Sequence, residues 1–180
     1  MNQFEVVKGT ELFRNVSDED INKIVALCTE KVFAKDAVIM EEGSVGEELY
    51  ILPHGLVGVD VKVGENTYRQ RAYEVMQGDV FGELALFGHR RSARVRALED
   101  VTILAIPCAP LKQLMRDVPR IGYYTMSNLS AILAERLVMA NINMQDMMSK
   151  HQMMEKRMDM MQSMMQMMMD RMQAPMPASK

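Results

Sequence analysis

Residues 81–97 have the sequence FGELALFGHRRSARVRA, and this stretch decides the fold. It begins with apolar residues, passes through a Gly-Glu pair and a polar loop, and ends in an alternating run typical of a β-strand. A short helix at residues 83–87 would present free backbone N–H groups at its N-terminus, and such groups favour an anion such as phosphate. The stretch therefore predicts a site for a small anion.

Four residues in this stretch extend the prediction from an anion to a sugar phosphate. Gly82 has no Cβ, so a ligand can approach its backbone closely. Arg91 can direct two N–H donors at phosphate oxygens, and Ser92 can add a hydroxyl group. Glu83 would repel a bare anion, so its position favours a ligand that also carries a sugar hydroxyl for the carboxylate to accept.

The same stretch resembles the phosphate-binding cassette of cyclic nucleotide-binding domains. The match consists of FGELAL at residues 81–86 and the pattern RSAxVxA at residues 91–97. The gap between Glu83 and Arg91 is one or two residues shorter than is usual in that family, so either the loop is tight or Arg90 shares the role of Arg91. The resemblance implies a mainly β fold, an antiparallel jelly roll with flanking helices, and binding of cAMP or cGMP.

The resemblance also implies which residues contact the ligand. The expected contacts in the cassette are Phe81, Gly82, Glu83, Leu84, Ala85, Arg91, Ser92 and Ala93. In this family the long helix after the cassette adds a contact to the purine, and aligning that helix places Ala140 and Asn141 there. Asn141 can donate and accept hydrogen bonds, whereas Ala140 has no polar side chain. The choice between cAMP and cGMP stays open.

The surrounding chain has the periodicity of a β protein. Short apolar runs separated by turn residues extend from residue 32 to residue 106 and predict an antiparallel sandwich or barrel. Residues 56–63 alternate, and a turn is expected at residues 64–66. The valines expected on one side of that strand are Val57, Val59, Val61 and Val63.

Helices are predicted on both sides of the β region. Residues 10–31 are expected to be helical, with Asn15 or Ser17 as the N-cap. A further helix is expected at residues 110–117, and a long one from residue 120 with no break before Pro175. The predicted domains are a β-roll with flanking helices at residues 1–119, a long helix at residues 120–173 and a disordered tail at residues 174–180.

The long helix carries a heptad seam, in which positions alternate in steps of four and three residues. Eleven of its twelve residues are apolar, and His151 is the exception. This pattern predicts a coiled coil, for which we expect a parallel homodimer. The seam residues are Leu133, Leu137, Ala140, Met144, Met147, His151, Met154, Met158, Met161, Met165, Met168 and Met172.

Methionine dominates the second half of this helix: 15 of the 21 methionines lie between Met144 and Met176. Methionine packs adaptably but specifies its partners poorly. Met153, Met160 and Met167 add a second stripe, which favours either a higher oligomer or a surface for another protein. Two alternatives stay open at this point, because thioethers also bind Cu(I) and an apolar face also contacts membrane surfaces.

Composition argues against several other classes of protein. The formal net charge of −3 gives no general affinity for nucleic acid, and no uncharged apolar run is long enough to span a membrane. The space after the β region holds a heptad helix rather than a helix-turn-helix domain. Cys28 and Cys108 lack metal-ligand spacing and are interpreted as buried thiols in a reducing cytosol. No signal peptide is visible, so we expect a cytoplasmic protein.

Two functional hypotheses follow from the sequence. In the first, the chain is a cyclic nucleotide sensor whose long helix signals to a partner. In the second, the fold is retained as an assembly scaffold, the pocket binds nothing, and the methionine-rich coiled coil carries the function. The sequence offers no catalytic constellation and no ligand set for a metal, so we expect neither enzymatic activity nor a cofactor.

Overall fold

The computed structural model of the protein describes residues 2–62 and 69–173. The chain forms two compact units, Met1–Ile132 and Leu133–Lys180. Three predictions lie outside the described residues: the strand position of Val63, the turn at residues 64–66 and the tail at residues 174–180.

Two four-stranded antiparallel sheets form the first unit, as the jelly-roll prediction requires. The strands are β1 (Thr29–Phe33), β2 (Val38–Met40), β3 (Glu48–His54), β4 (Val57–Lys62), β5 (Arg69–Val75), β6 (Val80–Phe81), β7 (Arg94–Ala97) and β8 (Val101–Pro107). The strand order is β1-β8-β3-β6 in one sheet and β2-β7-β4-β5 in the other.

The core of this unit contains apolar side chains from both sheets, including Leu52, Val59 and Ile103. In strands β3 and β8, nearly every residue is buried, not only alternate ones. Such continuous burial needs cover on both faces of a sheet. On the second face, helix α3 (Cys108–Asp117) contacts β8 and the cassette.

Helices precede the β-roll, but they differ from the prediction. The expected continuous helix at residues 10–31 is wrong. A helix α1 spans Gln3–Gly9, a 3-10 helix spans Glu11–Phe13, and α2 spans Asp18–Val25.

The break before α2 has a local cause. Asn15 has a positive φ of 68°, which an α-helix does not tolerate. Ser17, one of the two predicted caps, then starts α2 by accepting a hydrogen bond from the backbone N–H of Asp20 at 3.3 Å. Residues 29–31 are not helical either, because they belong to strand β1 and pair with strand β8 in the sheet.

Helix α4 spans Pro119–Gln173 without a break, as the periodicity predicts. The division between the two compact units falls inside this helix, after Ile132. The described methionines from Met144 to Met169 are all exposed. The side chains of residues 170–173, which include the seam residue Met172, lie outside the described part of the structure.

Candidate functional site

The predicted short helix of the cassette is present as a 3-10 helix at Glu83–Phe87. Gly82 precedes it with a φ of 73°, and Gly88 follows it with a φ of 75°. Residues with a Cβ are strained in this left-handed region, so glycine is required at both turns. The local sequence therefore positions Glu83 at the start of the helix and returns the chain toward Arg91.

Arg91 is the centre of the site and is only 6% exposed. Its Nη1 donates a hydrogen bond to the carbonyl oxygen of Gly82 at 2.7 Å, and its Nη2 donates to that of Glu48, also at 2.7 Å. The guanidinium therefore links the cassette to the start of strand β3. Guanidinium groups have five N–H donors, so these two bonds leave capacity for a phosphate.

The backbone of Arg91 is held as well as its side chain. Its N–H donates to the carbonyl oxygen of Ser44 at 2.9 Å, and its carbonyl oxygen accepts from the N–H of Gly43 at 2.8 Å. The loop between β2 and β3 therefore supports the cassette arginine at two points, and any shift of this residue would disturb that loop.

Two glycines make room for the guanidinium. A methyl group at Gly46 would overlap the Nε and Cζ atoms of Arg91, and one at Gly82 would overlap its Nη1. These close approaches explain why glycine occupies both positions although they lie 36 residues apart in sequence.

A charged network surrounds Tyr50 on strand β3, beside Arg91. The Tyr50 hydroxyl donates to Glu48 at 2.9 Å, and Lys31 Nζ donates to the same carboxylate at 2.6 Å. Burial and the Glu48 carboxylate raise the pKa of Tyr50 to about 12. Burial would by itself raise the pKa of Glu48, but the hydrogen bonds from Lys31 and Tyr50 outweigh it and lower that pKa. Tyr50 is therefore neutral and Glu48 ionised near neutral pH.

Two cavities meet at Arg91. The first has a volume of about 30 Å³ and is lined by seven of the nine predicted site residues: Phe81, Gly82, Glu83, Leu84, Arg91, Ser92 and Ala93. The second is an open cleft of about 500 Å³ on the side of the β2–β3 loop, with Tyr50 and Arg91 in its wall. The first volume is about that of one water molecule, whereas small-molecule sites need roughly 300 Å³ or more. A nucleotide bound there would therefore extend beyond this cavity.

The two remaining predicted site residues lie elsewhere. Ala85 is buried within the 3-10 helix. Asn141 is exposed on helix α4 in the second unit, as is Ala140. The contact of Asn141 with a purine stays a prediction.

Sequence reasoning missed Gly46, Glu48 and Tyr50 as parts of the site. Glu48 acts through its backbone carbonyl, which any residue type provides, so no sequence signal could have indicated it. The sequence indicates Gly46 only as a turn residue. The aromatic ring of Tyr50 packs on that of Phe81, with 5.1 Å between the ring centroids, and its place in a strand resembles that of any core residue.

Arginines next to the cassette have partners on the protein surface. Arg94 pairs with Glu41 at 2.7 Å, Arg96 pairs with Asp36 at 2.5 Å, and Arg90 donates to the Gly43 carbonyl at 2.8 Å. Arg94 and Arg96 are therefore strand-face charges paired with carboxylates, and Arg90 is a loop charge. These contacts set Arg91 apart, because its guanidinium is buried among carbonyl oxygens.

The part of the chain that the structure describes offers little other site chemistry. No group of three or more His, Cys, Asp and Glu residues there is placed to hold a metal ion. Cys28 and Cys108 are free, and burial raises the pKa of both thiols, that of Cys28 to about 11. None of the described helices is long and apolar enough to cross a membrane.

Comparison with known proteins agrees with this geometry. Residues 30–118 match the family model of the cyclic nucleotide-binding domain. The cyclic AMP receptor protein of Thermus thermophilus is 27% identical over 141 residues, which cover 77% of this chain and 62% of that protein. Glutaminase 1 of Bradyrhizobium diazoefficiens is 30% identical over 130 residues, which cover 72% of this chain but only 20% of that protein.

Solved structures share the fold. The Thermus thermophilus catabolite activator protein superposes with a TM-score of 0.66 and 26% identity, covering 78% of this chain and 63% of that one. A cyclic nucleotide-binding domain from Methylobacillus flagellatus gives a TM-score of 0.66 at 24% identity, covering 75% and 76% of the two chains. Over residues 30–118, the chain therefore belongs to the cyclic nucleotide-binding domain family. The described residues after this domain form helix α4 and include no DNA-binding domain.

Proposed function

We propose that this chain is a cyclic nucleotide sensor that binds cAMP or cGMP at the cassette. The observation that carries the proposal is the buried guanidinium of Arg91, held by two carbonyl oxygens at the mouth of a cavity that Glu83 and Ser92 also line. A buried arginine next to a glycine-flanked helix start is suited to a phosphate, and a carboxylate nearby is suited to a ribose hydroxyl.

Binding would exchange hydrogen bonds rather than only add them. The phosphate would compete with the Gly82 and Glu48 carbonyl oxygens for the Arg91 donors, and the cavity would enlarge as the guanidinium turns toward the ligand. This exchange couples ligand binding to the conformation of the β2–β3 loop, because the Arg91 backbone is hydrogen-bonded to Gly43 and Ser44. The coupling would produce a signal only if the nucleotide binds one of the two positions of Arg91 and the loop more tightly than the other.

The proposed output is the C-terminal helix. Its heptad seam would join two copies of the chain in a parallel coiled coil, and the exposed methionines would present a surface to a protein partner. In this proposal the chain is a cytosolic regulatory protein with no catalytic role of its own. The free thiols Cys28 and Cys108 support a reducing compartment.

Calorimetric titration of the purified chain with cAMP and with cGMP tests the nucleotide site. We expect Arg91→Ala to weaken binding by about 2 kcal/mol or more, because it removes the charged partner of the phosphate. Arg90→Ala is the matched control, since Arg90 is its exposed neighbour and should leave binding unchanged. Absence of heat with either nucleotide, in a folded protein, would favour the scaffold alternative and refute the sensor.

A further inference from the structure

His151 is the single polar residue of the heptad seam, and thioethers surround it on its own helix face. Met147 lies four residues before it and Met154 three residues after it. In an α-helix these spacings place the three side chains on one side, about 6 Å and about 4.5 Å from His151 along the helix axis. One imidazole and two thioethers therefore project from the same strip of α4.

All three side chains are accessible to a ligand from solvent in the single chain. The exposed fraction is 76% for the His151 side chain, 62% for Met147 and 70% for Met154. The nearest charged partner is Glu155, whose Oε1 lies 3.3 Å from the His151 Nε2. That contact is an exposed i,i+4 pair, which is weak and easily displaced.

This set of ligand atoms selects one kind of ion. Thioether sulfur and imidazole nitrogen are soft or intermediate ligands, and thioethers favour Cu(I) over the hard cations that carboxylates bind. Zinc sites use thiolate, imidazole and carboxylate ligands, whereas this strip supplies a single imidazole and no thiolate. Methionine also has three rotatable side-chain bonds, which lets neighbouring sulfurs converge on one ion.

We propose that His151, Met147 and Met154 form a binding site for a soft monovalent cation, namely Cu(I). All three ligands come from one chain, so the site does not depend on the proposed nucleotide binding. The ligands lie on the heptad seam, where pairing of the helices would cover them, so metal is titrated at concentrations at which the chain is monomeric. It accounts for the polar residue in the seam and for the choice of methionine around it over leucine, which has a similar helix propensity.

The test uses the full chain and two probes. Ag(I), which is not redox-active here, is followed through the methyl signals of labelled methionine, and Cu(I) affinity is measured under anaerobic conditions by competition with a chromophoric chelator. The variants are His151→Leu and the double variant Met147→Leu and Met154→Leu. Circular dichroism verifies that each variant keeps its helix, which leucine should support.

A matched control exists six residues along the helix. Met153 and Met160 have the same spacing as Met147 and Met154 and are also exposed, but Arg157 takes the place of the histidine between them. Their double leucine variant removes as many thioethers without touching the proposed site.

We expect each chain to bind one metal ion tightly. His151→Leu and the test double variant should weaken its affinity about tenfold or more, and the control double variant less than about threefold. Equal losses of affinity in both double variants would mean that the methionines bind metal diffusely and would overturn the site. Full affinity in His151→Leu, or no tight equivalent in the unmodified chain, would overturn it too.

Discussion

The guanidinium carbon of Arg91 lies 5.4 Å from the centroid of the Tyr50 ring. This cation–π contact adds to the two carbonyl hydrogen bonds and fixes the position from which Arg91 would meet a phosphate. We predict that Tyr50→Leu weakens cyclic nucleotide binding by about 1 kcal/mol, roughly fivefold, whereas Tyr50→Phe keeps the ring and most of the affinity. Calorimetry on both variants tests this, and equal losses would show that the hydroxyl, not the ring, positions Arg91.

Gly46 offers a test of the site from outside the cassette. In Gly46→Ala the new methyl group would push aside the flexible end of Arg91, so the fold should survive while the guanidinium shifts. We predict about tenfold weaker nucleotide binding, equivalent to one charge-assisted hydrogen bond, together with a lower melting temperature, because the displaced guanidinium loses its bonds to the Gly82 and Glu48 carbonyl oxygens. Gly9→Ala is the control, because a Cβ there meets no atom within 4 Å. Unchanged affinity in Gly46→Ala would mean that the position of Arg91 does not limit binding.

Asp20 joins helix α2 to the start of helix α4. Its carboxylate is 1% exposed and accepts hydrogen bonds from Arg120, Lys23 and Ser17. We predict that Asp20→Asn destabilises the protein by about 2 kcal/mol in urea unfolding, because charged hydrogen bonds are lost in a buried position. The same change at Asp18, which is exposed, should cost far less.

Acid pH provides a second readout for Asp20. The hydrogen bond from Arg120, the largest of several contributions, holds the pKa of Asp20 far below its usual range. Stability from this contact is therefore present above about pH 4 and is lost as the pH falls toward the folded pKa. Between about pH 6 and about pH 2, the free energy of unfolding should fall less with pH in Asp20→Asn than in the unmodified protein. The same fall in both proteins would assign the acid sensitivity to other carboxylates.

The heptad seam can be tested separately from the nucleotide site. Met154→Glu and Met161→Glu put charges at seam positions, where like charges would face each other in a parallel pair. We predict that this double variant sediments as a monomer at concentrations at which the unmodified chain is a dimer. Gln145→Glu and Gln152→Glu add the same charge one position beyond the seam and should leave the dimer intact. If both double variants sediment alike, the seam is not the interface.

The cassette could be predicted from sequence because its determinants are contiguous. Gly82, Glu83 and Arg91 lie within ten residues, and the turn residues between them dictate the local path. The support of Arg91 could not be predicted, since its hydrogen bond to the Glu48 carbonyl joins residues 43 apart and uses a backbone atom. Tertiary contacts of this kind have no side-chain signature.

At the N-terminus the sequence pattern leads to a wrong prediction, that of one continuous helix at residues 10–31. Apolar spacing from Leu12 to Cys28 suggests one helix, but Asn15 in the left-handed region breaks it, and sheet pairing converts the residues from Thr29 onward into a strand. Asparagine tolerates this conformation better than most residues. The sequence signal is therefore present at Asn15, where it marks a turn and not a cap.

The pair of backbone hydrogen bonds between Arg91 and the β2–β3 loop has an experimental use. The N–H of Gly43 is bonded to the Arg91 carbonyl oxygen, so its hydrogen–deuterium exchange and its nitrogen-15 resonance depend on where that residue sits. Glycine amides resonate in an uncrowded region of the spectrum. In protein labelled with nitrogen-15 at glycine, the Gly43 signal would thus report movement of the buried arginine in solution. The experiment needs no dye and no change to the residues that line the cavity.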